Sequence, residues 1–339
     1  MTTDGISLVI GGAGCVGRHV VAVLLQRGHQ VRVFDREACT VPQVESIMGD
    51  IRDPSAVAQA CRGVTTVFQT ASIIDVRPGS DRLLRAVNID GNRHVIAACH
   101  ASGVRRLIYT SSIDVVFDGR PIRAGDEMLP YAARHLDTYG RTKMLAERDV
   151  LQANGQGQLS TCALRLAGVY GPGDRHRFPP ILQLARANRG MRLGDGSARF
   201  NHVYVENVAH AQLCAAERLA PGSPLAGSCY FITDHAPRNF FSFFDPFLRA
   251  LGLPVPTRTI PYRVAYLLAY LWEAITPLAG KRIRSLAPLT RYAVASTCVD
   301  FFFSGERAAR ELGYAPPVDE QEALRRTVAW FRGHPFDAA

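Results

Sequence analysis

The stretch Ser7-Leu8-Val9-Ile10-Gly11-Gly12-Ala13-Gly14-Cys15-Val16-Gly17 decides the architecture. Ser7–Ile10 reads as a short buried strand, and Gly17 to Arg27 as a helix. The glycines between them fit both G-x-x-G-x-x-G and G-x-G-x-x-G spacing. Such a turn lets the backbone approach a pyrophosphate, whose charge settles at the helix N-terminus. A glycine run alone serves any tight turn; the strand before it, the helix after it and a distant acid add the specificity. That acid is Asp35, which ends the second strand, Gln30–Phe34, 18 residues after Gly17. Gly11, Gly14, Cys15, Val16 and Gly17 are therefore expected to line a dinucleotide, and Asp35 to bond its adenosine ribose. A carboxylate there repels a 2′-phosphate and favours NAD over NADP. Arg36 and Arg18 would act in the opposite direction unless they are solvated surface charges. Asp50 and Ile51 are placed beside the adenine, with a plain loop acid as the alternative for Asp50.

Outward from this unit the same alternation continues. Ala56 to Cys61 is expected as a helix, Thr66–Phe68 as a strand, Asn88 to Ala101 as a helix ended by Gly103, and Arg106–Tyr109 as a strand. Tyr139 to Gln152 follows as a helix and Ser160 to Leu166 as a strand. Alternating strands and helices imply βαβ units and a parallel sheet, an α/β fold. The pattern changes near residue 170, with glycine- and proline-rich turns, a helix at Phe240 to Leu251, an apolar stretch from Ile260 to Gly280, and two helices between Ser304 and Arg332. Residues 1–170 are taken as the dinucleotide-binding domain with the catalytic residues. Residues 171–339 are taken as a substrate-binding cap interleaved with the last sheet strands.

The chain has 339 residues, 47% hydrophobic and 20% charged, which excludes a disordered polymer. Its net charge of +9 suits an anionic cofactor, membrane surface or nucleic acid, but no basic block accompanies it, so nucleic acid is not expected as a partner. The eight cysteines form no C-x-x-C pair. Scattered thiols fit a reducing, cytoplasmic setting, and no metal site is expected among the cysteines and histidines. Asp4 stands where a secretory leader would carry positive charge, so no leader is expected.

Tyr139-Gly140-Arg141-Thr142-Lys143 sets a phenol and an ammonium on one helix face. A free phenol titrates near ~10, too high for a base at neutrality, and a nearby cation favours the phenolate. Lys143 can also hold a nicotinamide ribose, so Tyr139 and Lys143 count as both catalytic and cofactor-binding. Ser111-Ser112 follows the strand Arg106–Tyr109, 27 residues before Tyr139 when counted from Ser112. Ser112 is chosen to orient the substrate oxygen and Ser111 as structural.

These residues carry a resemblance to the extended short-chain dehydrogenase/reductases, and within them to the 3β-hydroxysteroid dehydrogenase family. The carriers are the glycine loop, Asp35, Asn88 with Gly91, Thr110-Ser111-Ser112-Ile113-Asp114-Val115, Tyr139 with Lys143, Val169-Tyr170-Gly171-Pro172-Gly173-Asp174, Phe200 to Val208, Tyr230 to Asp234, and Glu311-Leu312-Gly313-Tyr314. Val9-Ile10-Gly11-Gly12, Leu129-Pro130-Tyr131-Ala132 and Ile260 to Tyr266 are similar to the sterol-4α-carboxylate 3-dehydrogenase (decarboxylating) branch. Leu166 after Arg165 departs from the proline that many members carry. The resemblance implies a Rossmann-type doubly wound parallel sheet with a smaller, mostly helical C-terminal cap.

It also implies an activity: Ser112 bonds a 3β-hydroxyl, Tyr139 removes its proton, and NAD (NADP as the alternative) takes the hydride. A carboxylate on carbon 4 would then leave as carbon dioxide. Arg77, Arg175, His176 and Arg177 are candidates to bind that carboxylate, each with a solvated surface charge as its alternative. Asn88 either supports the site or N-caps its helix. Competing activities are a 3β-hydroxysteroid dehydrogenase/isomerase, a 2-alkyl-3-oxoalkanoate reductase, a nucleotide-sugar epimerase and a non-catalytic NAD sensor. Val264 to Trp272, nine uncharged residues, is too short to span a bilayer, which takes about 20. With Tyr262, Tyr266, Tyr270, Trp272 and then Lys281, Arg282 and Arg284, the region 260–284 suits peripheral membrane contact; a buried cap helix or a homodimer surface is the alternative.

Overall fold

A computed structural model describes residues 5–76, 81–187, 189–275 and 289–334. The N-terminal half alternates as expected: β1 (Ile6–Ile10), α1 (Cys15–Gln26), β2 (Gln30–Asp35), β3 (Glu45–Met48), α2 (Pro54–Ala60) and β4 (Val64–Gln69). Then come α3 (Asp81–Leu84), a π-helical turn (Arg85–Gly91), α4 (Asn92–Ala101), β5 (Arg106–Ser112), β6 (Ile122–Gly125), α5 (Thr138–Gln152) and β7 (Ser160–Leu166). The second half holds β8 (Gly168–Tyr170), α6 (Phe178–Arg186), β9 (Arg192–Leu193), β10 (His202–Tyr204), α7 (Val205–Arg218), β11 (Ser228–Ile232) and α8 (Phe240–Ala250). It ends with β12 (Thr259–Ile260), α9 (Tyr262–Ile275), α10 (Arg291–Cys298), β13 (Phe301–Phe303) and α11 (Glu320–Gly333).

Seven strands form one parallel sheet in the order β3-β2-β1-β4-β5-β7-β11. The direction of winding reverses between β1 and β4, so the crevice for a ligand opens at the carboxyl ends of those strands. Alternation along each strand splits the apolar side chains between two cores. Val9, Val33 and Ile108 face α1 and α7, whereas Leu8, Ile10 and Leu107 face α2, α4 and α5. A third core in the second half gathers Phe178, Leu182, Tyr204, Phe243, Phe247 and Phe331. The last strand of the sheet, β11, comes from beyond residue 170.

Two local expectations change. The helix read from Asn88 begins at Asp81 and runs on through the π turn, so Asn88 is not an N-cap. Its amide instead accepts from Ile73 N–H (2.9 Å) and donates to Ile73 O (3.0 Å) and Thr142 Oγ1 (3.1 Å), tying the segment after β4 to α5. The apolar helix α9 is not a buried cap helix. It buries Ala265 and Ala269 and leaves Val264, Leu267, Leu268, Leu271 and Ile275 about half exposed. Among the described residues no helix is long and apolar enough to cross a membrane. Lys281, Arg282 and Arg284 lie outside the described residues.

Candidate active site

The glycine loop packs so closely that side chains are excluded. A Cβ on Gly17 would stand 2.0 Å from the Gly11 carbonyl oxygen, and one on Gly11, at φ +82°, would stand 2.6 Å from the Ala71 nitrogen. Gly14 N-caps α1 without a side-chain cap, and the first turn holds no acid, so the amides there stay available to an anion. This cradle fits a pyrophosphate. Cys15 sits at the first turn, its thiol directed at the Pro172 carbonyl (3.9 Å) and pushed up to about 12, mainly by burial. Val16 packs half-buried against the core.

Asp35 does more than end β2. Its Oδ2 accepts from the Ala13 amide (3.0 Å) and its Oδ1 from the Glu37 amide (3.2 Å), which clamps the glycine loop to the second strand. Arg36 is solvent-exposed, 4.0 Å from Asp50. Asp50 is gripped by Arg52 (2.6 Å), whose hydrogen bond pulls its carboxyl down to about 2. Ile51 is buried beneath Gly91, and its carbonyl accepts from His94 Nδ1 (3.1 Å). Arg18 is not a free surface charge: it folds back onto the carbonyls of Ala13 (2.8 Å) and Gly14 (3.2 Å).

Ser112, Tyr139 and Lys143 converge at the end of β5 and the start of α5, all three buried. Asp137 N-caps α5 through the Gly140 amide (2.6 Å), which fixes where Tyr139 enters. Ser112 donates to Asp114 Oδ2 (2.6 Å), and Asp114 Oδ1 accepts from the Tyr292 hydroxyl (2.6 Å). Ser112 also faces Tyr139, where donation from its hydroxyl favours the phenolate. Ser111 points to the other face and donates to the buried Glu147. Lys143 Nζ donates to the Thr110 carbonyl (2.5 Å) and lies 4.3 Å from the Tyr109 ring centroid.

The electrostatics are finely divided. Burial, then the Asp114 charge, raise the Tyr139 phenol above its ordinary value, against the Ser112 hydrogen bond and the Arg177 cation. Burial also pushes the Lys143 ammonium down to about 7, opposed by Glu147 and Asp114. Burial and Asp114 push the Asp137 carboxyl up to about 7. The protein thus holds a serine, a phenol and an amine buried together, the set needed to move one proton off an alcohol.

Two members of this cluster escape a reading of the sequence as a site. Asp114 has a local signal, an acid two residues past a strand-end serine. Tyr292 has none, since it arrives from α10, 178 residues further on. Of the candidate anion binders, Arg77 lies outside the described residues. Arg175 is exposed, 4.0 Å from Glu37. His176 is exposed as well, while Arg177 turns inward.

The sequence profile of the 3-beta hydroxysteroid dehydrogenase/isomerase family matches residues 8–262. A 3 beta-hydroxysteroid dehydrogenase/Delta 5→4-isomerase of Mycobacterium tuberculosis is 37% identical over 98% of this chain and 92% of its own. The mouse sterol-4-alpha-carboxylate 3-dehydrogenase, decarboxylating, is 37% identical over 95% of this chain and 90% of its own. Among solved structures, the Thermus thermophilus UDP-glucose 4-epimerase complex with NAD superposes with a TM-score of 0.74 at 24% identity, covering 97% of this chain and 99% of that one, a likeness of fold.

Proposed function

The chain belongs to the 3-beta hydroxysteroid dehydrogenase/isomerase family, and from that premise we propose that it oxidises the 3β-hydroxyl of a 4α-carboxysterol to the 3-ketone, with loss of the carboxylate as carbon dioxide. It is an NAD(P)-dependent oxidoreductase acting on a CH–OH group. The observation that carries the reading is the buried Ser112–Tyr139 pair beside Lys143 at the carboxyl end of β5.

NAD, when bound, supplies the hydride acceptor. The Ser112 hydroxyl, turned from Asp114, donates to the substrate oxygen and so leaves the substrate's own proton aimed at Tyr139. Tyr139 as phenolate takes the hydroxyl proton as the carbonyl forms. Lys143, anchored on the Thr110 carbonyl, holds the ribose side of the pocket. The resulting β-keto acid loses carbon dioxide because the new ketone oxygen receives the electron pair as an enolate, which Tyr139, now protonated, can quench. The experiment is a panel of 4α-carboxysterols and 4-unsubstituted 3β-hydroxysteroids with NAD and NADP. Ketone and carbon dioxide in equal amounts from the acids are expected. Turnover of the unsubstituted alcohols alone would leave a plain 3β-hydroxysteroid dehydrogenase.

Asp35 supports a preference for NAD. Asp35→Ala is expected to lower the NAD-to-NADP ratio of kcat/KM by about tenfold, roughly the loss of one hydrogen bond to a charged acceptor. An unchanged ratio would remove the ribose contact and leave Asp35 as a clamp of the glycine loop.

The outward face of α9 supports peripheral membrane attachment that would deliver an insoluble substrate. Arg263 is exposed on the same helix, and the chain carries +9 overall. Flotation with anionic liposomes is expected, weakening in salt and in Leu267→Glu/Leu271→Glu. A protein that stays at the bottom of the gradient and elutes as a dimer would assign this face to a second copy.

A further inference from the structure

Arg177 is a half-buried cation whose inward guanidinium has no acidic partner among the described residues. It precedes α6, and its backbone amide donates to Asp174 Oδ1 (3.0 Å). The same Asp174 also accepts from the amides of His176 (2.8 Å) and Phe178 (2.9 Å), so its oxygens serve the backbone. The guanidinium makes no hydrogen bond or ion pair among the described residues, and its Nη1 is closed off from solvent. It lies against two rings, 5.2 Å from the Phe200 centroid and 5.4 Å from that of Phe240.

The berth for this head group is built. A Cβ on residue 168 would stand 2.7 Å from Arg177 Cζ and 2.8 Å from its Nη1. Gly168 has no positive φ, so its backbone does not call for glycine; the missing side chain makes room for the arginine and for the Phe200 ring, whose Cε1 would stand 2.7 Å away. The other buried cations nearby are already engaged, Arg165 by Glu147 and Lys143 by the Thr110 carbonyl. The ring neighbour of Arg177, Phe200, packs on Phe301 (5.7 Å), which stacks on Phe117 (4.1 Å) beside Tyr292 (6.2 Å), the residue that donates to Asp114, and the charges of Tyr292, Asp174, Asp114 and Tyr139 all act on the guanidinium. A cation shut off from solvent with no acid bonded to it is costly to keep.

We propose that Arg177 receives an anionic group of the substrate, a carboxylate carried on the carbon next to the reacting alcohol. This rests on the sterol-oxidation reading above and deepens it. A planar guanidinium matches a carboxylate through two parallel hydrogen bonds. Carbon 4 adjoins carbon 3, so a cation at the edge of the alcohol site is placed for a group on that carbon. Holding the carboxylate stabilises it before as well as during reaction, so Arg177 acts on KM and on choice of substrate more than on kcat.

The test compares a 4α-carboxysterol with its methyl ester, bound to the enzyme–NADH complex and turned over with NAD, in wild type, Arg177→Gln and Arg177→Lys. Wild type is expected to prefer the acid. Arg177→Gln should cut the acid-to-ester ratio of affinities by about 10–100-fold, with Arg177→Lys between them. The free Arg177→Gln enzyme should melt at or above the wild-type temperature, because an unpaired buried charge is gone. A wild-type enzyme that binds acid and ester alike overturns the assignment whatever its turnover. So does a variant with an unchanged ratio, or one that melts lower and loses both ligands equally, which would make Arg177 a packing residue. If wild type binds the acid selectively through Arg177 yet oxidises no sterol, the anion site stands and the dehydrogenase reading falls.

Discussion

Tyr139→Phe is expected to lower kcat/KM for alcohol oxidation by about 10²–10⁴-fold, the usual contribution of a positioned base. NAD affinity should move little. The ring keeps its volume and its place one residue into α5, where Asp137 caps the helix through Gly140, so only the oxygen is lost. The wild-type pH profile is part of the same expectation. Burial and Asp114 raise the phenol, so the reactive phenolate becomes more populated as pH rises, and oxidation in wild type should climb with pH across the neutral range. In Tyr139→Phe that slope should vanish along with the rate. Full activity in the variant, measured by NADH absorbance with binding checked by calorimetry, would exclude Tyr139 as the base.

The second large effect falls on stability. Glu147→Leu should destabilise the protein by about 3–5 kcal/mol, the range for stripping one partner from a buried ion pair. Glu147 is fully buried and accepts from Arg165 Nη2 (2.7 Å) and Nε (3.0 Å), from Tyr131 (2.9 Å) and from Ser111. Burial alone would oppose the Arg165 charge, but Glu147 outweighs it and holds the guanidinium above its ordinary value. Without Glu147 the arginine is left between the Tyr131 and Phe231 rings with no acid. The melting temperature should fall by roughly 6–10 °C, at about 2 °C per kcal/mol for a chain of this size. Glu147→Leu/Arg165→Met should recover much of the loss, since a well-packed apolar pair often matches a buried ion pair. A double variant as unstable as the single one would locate the effect elsewhere, in Ser111 and Tyr131.

The parts of this molecule legible in its sequence are those with short-range signatures. The β1–glycine loop–α1 unit is contiguous, and Tyr139 and Lys143 share a helix face by their spacing alone. Ser112 is found because β5 has a recognisable end. Asp114 was legible only as a motif member, since its role comes from Tyr292 in α10. Arg177 could be named as one of four candidates, but its inward turn depends on Gly168, in another element. Lys143 is expected as the cation beside the phenol, and what its spacing does not reveal is the anchor of its ammonium on the Thr110 carbonyl. The start of the α3–α4 helix was displaced because Asn88 looks like a cap while its amide bridges Ile73 and Thr142. Strands of two or three residues, such as β9, β12 and β13, carry too little alternation to be read without their partners.

The crossing of β11 into the main sheet bears on how such enzymes can be re-engineered. Because Ser228–Ile232 lies beside β7, the cap cannot be exchanged between relatives as one uninterrupted cassette. A chimera cut near residue 170 would import a foreign edge strand and strip β7 of its own neighbour. Specificity would have to be grafted in two pieces, on either side of a retained β11 that belongs by packing to the recipient.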